Sequence, residues 1–239
     1  MFKLQVIFYR TFMFVLKLAM KFIPLPQPTL FVGQGSALQL TQSITTMGTQ
    51  RLLIVTDKVI NELGMLDAIK QQCEEAGVNV EVYDGILPDP TFELIEAGMT
   101  IARNHKSDAI LAVGGGSSID AAKMISVGLT NGKPLSELTG MLKISITGVP
   151  LYVIPTTAGT GSEVTAAAVV TDSISGQKLS AIGPELVPLS AALDPMLMTG
   201  LPAPITAATG VDALTHAIEA LYHALQPTRP IAMPVQRRA

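Results

Sequence analysis

The sequence is poor in cysteine and in histidine, and neither sign of charge dominates. Its one cysteine, Cys73, excludes an internal disulfide. Because Cys73 lies in a helical pattern, we predict a structural thiol and a reducing, cytoplasmic setting. The 16 basic and 19 acidic residues give a formal net charge of −3. Such a balance offers no electrostatic attraction to a polyanion, which argues against a nucleic-acid partner.

The chain also lacks an apolar run long enough to cross a membrane. The first 19 residues hold four of the seven phenylalanines, but Lys3, Arg10 and Lys17 interrupt them. These cations leave less than the ~20 apolar residues that a span needs, and no signal-peptide cleavage site follows. We predict an N-terminal extension over residues 1–19 that packs on the fold or on a partner. Attachment to a membrane surface and a natural start at Met20 are the alternatives.

Short apolar runs alternate with helical patterns from Gln50 to the segment "PLYVIP". Nearly unbroken apolar strands joined by helices predict a parallel sheet that is covered on both faces and binds ligands beyond the carboxyl ends of its strands. After Thr165, two short apolar segments flank the turn-forming "SISG" and predict a β-hairpin. Pro202 and Pro204 then precede a helical stretch, so we place a boundary near residue 202.

Three consecutive glycines stand between an apolar strand and an amphipathic helix in "LAVGGGSSIDAAK". Backbone N–H groups at this point would face a ligand beside the positive end of the helix dipole, and Ser117 would add a hydroxyl, so a pyrophosphate fits there. The alternative is a plain helix start, because Ser117 and Asp120 match the capping-box pattern. The usual G-x-G-x-x-G fingerprint is not matched.

Two further polar segments follow apolar strands. "LLIVTD" ends at Thr56 and Asp57, where a carboxylate would either bind a ribose or cap a turn or helix. "VIPTTAGTGSEVT" carries hydroxyls and glycines that suit a polar ligand, with turn chemistry and a capping box from Thr160 to Glu163 as the alternatives. Three polar loops after apolar strands together favour a nucleotide crevice.

Asp212 and His216 are candidate metal ligands. Four residues apart on a predicted helix, they would share one face about 6 Å apart along the axis, and an ordinary surface pair is the alternative. His223 lies about 10 Å further along the helix, and His105 is predicted to complement the dipole at another helix C-terminus. Because catalytic metal sites present at least three protein ligands, the predicted site is incomplete.

The motifs "GGGSSIDAAK", "PTTAGTGSEVT" and "TGVDALTHAIE" together resemble those of the iron-containing alcohol dehydrogenases, over roughly Met20 to Ala224. The resemblance implies an α/β domain that binds NAD or NADP, a helical domain, and a divalent metal, iron or alternatively zinc, between them. It implies that Asp57 contacts the adenosine ribose and that Asp212 and His216 are the first two metal ligands. The implied pyrophosphate contacts are Gly115, Gly116, Ser117 and Asp120. The implied contacts to the other half of the cofactor are Thr156, Thr157, Thr160, Ser162 and Lys178.

The implied reaction is hydride transfer between a small alcohol or aldehyde and the nicotinamide, with the metal stabilising an alkoxide. The family's two further metal histidines have no counterpart here, and the segment after Ala224 does not resemble the family. We therefore predict a truncated member that is incomplete for catalysis. A catalytically silent nucleotide-binding or interaction module is the alternative, and a homo-oligomer stays open.

The predicted architecture is thus an α/β fold with three segments. They are the extension over residues 1–19, a dinucleotide-binding domain with a parallel sheet and a β-hairpin over 20–202, and the start of a truncated helical metal-binding domain over 203–239.

Overall fold

The computed structural model describes residue 11 and residues 26–225, with side chains in the last stretch up to residue 222. The chain divides into two compact units, one over Gln27–Ala213 and one made of Met1–Pro26 and Leu214–Ala239. The predictions for the extension over residues 1–19 and for the tail after Gln226 lie outside the described residues. The domain limits near residues 19 and 202 stay predictions.

The described elements alternate strand and helix through most of the chain. The strands are β1 Thr29–Val32, β2 Arg51–Val55, β3 Asn79–Tyr83, β4 Ala109–Gly114, β5 Gly140–Met141, β6 Leu151–Pro155, β7 Ala167–Thr171, β8 Lys178–Ile182 and β9 Ser190–Leu193. The helices are α1 Ser36–Thr46, α2 Lys58–Glu62, α3 Asp67–Glu75, α4 Phe92–His105, α5 Gly116–Asn131, α6 Leu135–Leu138 and α7 Ala203–Leu225. Short 3-10 helices occur at Ser162–Val164, Pro184–Leu186 and Pro195–Met198.

A six-stranded parallel sheet organises the unit over Gln27–Ala213. Its strand order is β1-β9-β6-β4-β2-β3. From β2 the chain continues to β3 on one side, whereas from β4 it continues to β6 on the other side. The strand order therefore reverses between β2 and β4, and open α/β sheets bind ligands beyond the carboxyl ends of the strands at such a point.

Helices cover both faces of this sheet, as the sequence predicted. In β2, Leu52 and Ile54 pack in a cluster with buried residues of α1 and α3. The alternate residues Leu53 and Val55 pack in a second cluster with buried residues of α4 and α5. Full burial of each such side chain stabilises the fold by roughly 1.5–3 kcal/mol, which explains why β2 reads as a continuous apolar run.

Cys73 has the structural role that the sequence predicted. It lies on α3 with its side chain fully buried in the first of these clusters. Burial and, to a smaller extent, the neighbouring Glu74 carboxylate together raise the pKa of its thiol to about 11. A thiol with a raised pKa is a poor nucleophile at neutral pH.

The predicted β-hairpin is confirmed. β7 and β8 pair antiparallel, and β8 also pairs with β5, so that the hairpin belongs to a separate three-stranded sheet. Gly176 has a φ of +67° in the turn and donates its N–H to the Asp172 carbonyl at 2.8 Å. Ala168, Val170 and Ala181 of the hairpin are buried in the cluster that contains α5. The hairpin thus covers α5 on the side away from the sheet.

Helix α7 begins at Ala203, directly after Pro202, where the prolines predicted a change to helical structure. Among the helices that the structure describes, none combines the length and the apolar character that crossing a bilayer requires.

Candidate functional site

The three polar loops that the sequence singled out follow adjacent strands. β6, β4 and β2 are neighbours in the sheet, and all three run parallel. Thr156 N donates to the Gly114 carbonyl at 3.0 Å, which continues the contact between the loops after β6 and β4 beyond the last paired residues. The candidate cofactor residues on these loops therefore lie at one edge of the sheet, next to the point where the strand order reverses.

The glycine run forms the junction between β4 and α5. Gly114 ends the strand, Gly115 is the extended N-cap residue, and α5 starts at Gly116. The first hydrogen bond of the helix joins Ile119 N to the Gly115 carbonyl at 3.1 Å. The amides of residues 116–118 consequently have no acceptor within the helix. They lie at the positive end of the dipole of a 16-residue helix, an arrangement that favours an anion.

The alternative of a capping box at this helix is wrong. Within the described residues the N-cap has no side-chain hydrogen bond, and Asp120 Oδ2 instead accepts the N–H of Val169 on β7 at 2.9 Å. Asp120 Oδ1 is buried and has no hydrogen-bond partner among those residues. Burial raises the pKa of Asp120, although the Val169 amide and the Lys123 ammonium act in the opposite direction. Asp120 therefore ties α5 to the hairpin, and its predicted contact with pyrophosphate stays a prediction.

The glycines also allow the loop after β6 to approach the loop after β4. A Cβ atom at Gly116 would lie 3.0 Å from Thr160 Cγ2 and 3.3 Å from Ser162 Oγ, and one at Gly115 would lie 3.3 Å from Thr157 Oγ1. Sequence reasoning assigned the missing side chains to a ligand alone. The structure adds a second reason, because the hydroxyl-bearing side chains of the other loop occupy this space.

The loop after β6 is held by its own hydroxyls. Thr156 and Ser162 are buried, and Thr160 Oγ1 accepts the N–H of Ser162 at 3.3 Å. The following 3-10 helix begins after Gly161 and, within the described residues, has no side-chain cap. The alternative of a capping box from Thr160 to Glu163 is therefore wrong. Thr157 and Thr160 remain partly exposed at the edge of the sheet.

Asp57 follows β2 and is the N-cap of α2. Its Oδ1 accepts the N–H of Ile60 at 3.1 Å, so the alternative of a helix cap is confirmed. A bridge to Gly85 fixes the backbone of Asp57 beside β3. A capping carboxylate has acceptor capacity left over, so this finding does not test the predicted contact with a ribose.

Lys178 begins β8 in the hairpin. Its Nζ lies 2.6 Å from Asp89 Oδ1, and both side chains are largely exposed. Exposed ion pairs of this kind contribute about 0–1 kcal/mol to stability. The predicted contact between Lys178 and the cofactor stays a prediction.

Sequence reasoning missed Lys123, which lies two turns into α5. Its side chain is fully buried. The Nζ donates to the Thr165 carbonyl at 2.8 Å, to Thr165 Oγ1 at 3.0 Å and to the Ala167 carbonyl at 2.8 Å. Burial lowers its pKa to about 8, against the opposing effect of the Asp120 and Glu163 carboxylates. The available signal was a lysine inside an otherwise apolar stretch, "AAKMISVG".

The two candidate metal ligands lie on the same helix. Asp212 is partly buried and His216 is exposed on α7, one helical turn apart along the sequence. Over the described residues no group of three or more His, Cys, Asp or Glu side chains could hold a metal ion. His105 ends α4, as predicted, and its ring nitrogens contact Ser107 Oγ and Asn79 Oδ1. The side chain of His223 lies outside the described residues.

Gly159 brings the loop after β6 against α7. A Cβ atom at this position would lie 2.3 Å from the Thr209 carbonyl oxygen, and the φ of Gly159 is +152°. Only a glycine permits this approach between the two backbones. The contact falls three residues before Asp212 on the same helix.

Comparison with known proteins finds close similarity over most of the described residues. The family model for "Iron-containing alcohol dehydrogenase" matches residues 27–195. Alcohol dehydrogenase 4 of Schizosaccharomyces pombe is 39% identical over 196 residues, which cover 82% of this chain and 46% of that protein. The NAD-dependent methanol dehydrogenase of Bacillus methanolicus is 37% identical over 199 residues, which cover 83% of this chain and 51% of that protein.

A solved structure agrees with these relatives. The crystal structure of a 1,3-propanediol oxidoreductase matches with a TM-score of 0.78 and 34% identity, covering 82% of this chain and 51% of that chain. The chain therefore spans about half the length of the relatives that it matches.

Proposed function

Because the chain belongs to the iron-containing alcohol dehydrogenase family, we propose that it binds NAD or NADP across the three loops that follow β2, β4 and β6. The family's reaction, in this proposal, is hydride transfer between a small alcohol or aldehyde and that cofactor. The observation that carries the proposal is that these loops follow adjacent parallel strands, at the edge where α5 begins with amides that have no acceptor within the helix.

The order of the strands supports an orientation for the cofactor. The pyrophosphate lies at the centre, on the amides of Gly116 and Ser117 that begin α5. The adenosine ribose lies on one side, at Asp57 after β2. The nicotinamide half lies on the other side, near Thr157 and Thr160 after β6. Neighbouring strands are about 4.8 Å apart, so the two outer loops flank a pyrophosphate bound between them.

We propose NAD rather than NADP as the preferred cofactor. The Asp57 carboxylate accepts hydrogen bonds from an unmodified ribose and repels a 2′-phosphate. The relative from Bacillus methanolicus is named as NAD-dependent, which supports the same choice.

The donor chemistry of Asp212 and His216 fits a divalent metal, since carboxylate and imidazole both bind iron and zinc. When bound, the metal polarises the alcohol oxygen and stabilises the alkoxide. The pair supplies two of the three or more protein ligands that catalytic sites present. We therefore propose cofactor binding without steady turnover for this chain. The alternative, a catalytically silent nucleotide-binding module, predicts the same cofactor binding. It predicts that added metal leaves the behaviour of the protein unchanged.

Calorimetric titration with NADH and NADPH tests the proposal. We expect one NADH per chain and weaker binding of NADPH, and no heat with either cofactor would contradict the proposal. Formation of NADH is then measured with ethanol or 1,2-propanediol in the presence of iron or zinc. Steady turnover that is proportional to protein concentration would contradict the incomplete metal site.

A matched pair of variants isolates the backbone amide. Gly116→Pro removes the N–H at the first position of α5, where proline is tolerated and follows an extended residue. Gly116→Ala adds a Cβ but keeps the N–H. Losing a hydrogen bond to a charged group costs about 1.5–3 kcal/mol, so we expect Gly116→Pro to bind NADH at least about tenfold more weakly than Gly116→Ala. Equal affinities would contradict a pyrophosphate at this position.

A further inference from the structure

Lys123 uses its whole hydrogen-bonding capacity on one short segment. An ammonium group has three donors, and within 3.0 Å they reach the carbonyls of Thr165 and Ala167 and the hydroxyl of Thr165. These acceptors stand at the point where the loop after β6 ends and β7 begins. Asp120 and Glu163 provide the negative charge nearby.

Burying an ammonium group on a helix costs free energy because the charge is removed from water. Methionine has nearly the same length and would pack in the same place without the cost of desolvating a charge. What Lys123 has and methionine lacks is an ammonium group that donates hydrogen bonds. Because both backbone carbonyls and the hydroxyl belong to residues 165–167, the charge fixes the position of that segment relative to α5.

The segment that Lys123 holds is one end of the loop after β6. The other end is fixed by the hydrogen bond from Thr156 N to the Gly114 carbonyl. Between these two points, Thr157 and Thr160 come close to Gly115 and Gly116. Helix α5 therefore carries the anion-binding amides in its first turn and, two turns later, the group that anchors the loop above them.

We propose that Lys123 is a positioning residue for cofactor binding: it anchors the exit of the loop over residues 156–165 so that Thr157 and Thr160 face the nicotinamide half. This inference rests on the proposed function. It assigns to Lys123 no contact with the cofactor itself.

The test compares two ligands that reach different parts of the site. NADH spans all three loops, whereas ADP carries the adenosine and the pyrophosphate and lacks the nicotinamide half. Lys123→Met removes the three donors and keeps the length of the side chain. The control is Lys133→Met, which changes an exposed lysine just beyond the same helix. Dissociation constants for both ligands are measured at a temperature where every protein is folded.

We expect Lys123→Met to weaken NADH binding at least about tenfold, because an unanchored loop has to be ordered when the nicotinamide half binds and ordering even one residue costs roughly 1–2 kcal/mol. ADP binding should change less than about twofold. Lys133→Met changes neither. Equal weakening of both ligands, or of neither, would overturn the positioning role even if the melting temperature falls. If Lys123→Met does not fold, Thr165→Val removes one acceptor, and a smaller loss of about two- to fivefold for NADH alone is expected.

A measurement without ligand separates this inference from the proposed function. Hydrogen exchange is compared between the wild type and Lys123→Met, in peptides that cover residues 156–167 and, as an internal reference, in peptides that cover β2 and β4. Faster exchange in the loop alone supports anchoring by Lys123, and unchanged exchange overturns it. A wild-type protein that binds neither NADH nor ADP would instead refute the proposed function, and the cofactor role of Lys123 with it.

Discussion

Two helices of this chain are both rich in apolar residues and have opposite surroundings. In α5, Ile119, Met124 and Ile125 are fully buried between the sheet and the hairpin. In α7, Leu214, Ile218 and Leu221 are each more than half exposed. The comparison shows that apolar content alone does not determine burial. A helix is buried only where other layers of the fold meet more than one of its faces.

The difference also separates the two halves of the proposed function. Everything that we assign to the pyrophosphate lies on or beside α5, in a packed and hydrogen-bonded setting. The two candidate metal ligands lie on α7. The matched residues make up about half of each relative, and a helix with an exposed apolar face is typical of one that packs on further helices.

The largest expected difference comes from one substitution made in both helices. Ile125→Ala opens a cavity in a fully buried site and should lower the free energy of unfolding by about 2–5 kcal/mol. Ile218→Ala removes the same atoms from a side chain that is 58% exposed. This variant should change the free energy of unfolding by about 0.5 kcal/mol or less. Urea unfolding of the two variants measures both values. Similar losses would mean that α7 is packed in solution.

The pH dependence of the free energy of unfolding tests the buried charge that Lys123 places in α5. Its pKa of about 8 in the folded state lies below the ordinary value of 10.5, so between these values the unfolded chain binds more protons. Stability therefore rises with pH through this window. Relative to Lys123→Met, the wild type should gain about 2 kcal/mol of unfolding free energy between pH 7.5 and 9.5. Cys73 titrates in both proteins and cancels in the difference, and a constant difference would contradict a lowered pKa.

The last comparison tests the contact between the loop after β6 and α7. Gly159→Ala places a Cβ against the Thr209 carbonyl, and we expect a loss of about 1–3 kcal/mol from strain and overlap. Gly161→Ala is the matched control, because this glycine also has a positive φ but, among the described residues, no atom lies within 4 Å of the added Cβ. Thermal unfolding measures both. If Gly161→Ala is as destabilising as Gly159→Ala, the close approach of α7 does not account for the destabilisation at Gly159.

Much of the edge of the sheet where β2, β4 and β6 end could be predicted from the sequence because its signals are local. The apolar run of β4, the three glycines and the amphipathic start of α5 are contiguous, so a strand, a candidate anion-binding junction and a helix follow one another in the chain. The same holds for the hairpin, where turn residues separate two short strands. Contiguous signals of this kind need no knowledge of the rest of the fold.

The errors concern partners that are distant in sequence. Asp120 matched a local capping pattern, but its carboxylate bonds to Val169, 49 residues away. Lys123 went unnoticed because its acceptors begin at Thr165, 42 residues away. Nothing in the sequence indicated that Gly159 lies against the backbone of Thr209 on α7, a contact that leaves the expectation of a ligand-binding loop untested.

Consecutive residues were enough to predict the central buried strands, the hairpin turn and the strand-to-helix junction at the start of α5, because burial on both faces and helix polarity leave local signals. The placement of β2, β4 and β6 side by side, and the hydrogen bonds from Lys123 to Thr165 and Ala167, were visible only in the folded chain. Those arrangements depend on strand order and on hydrogen bonds across tens of residues, and no local pattern encodes either.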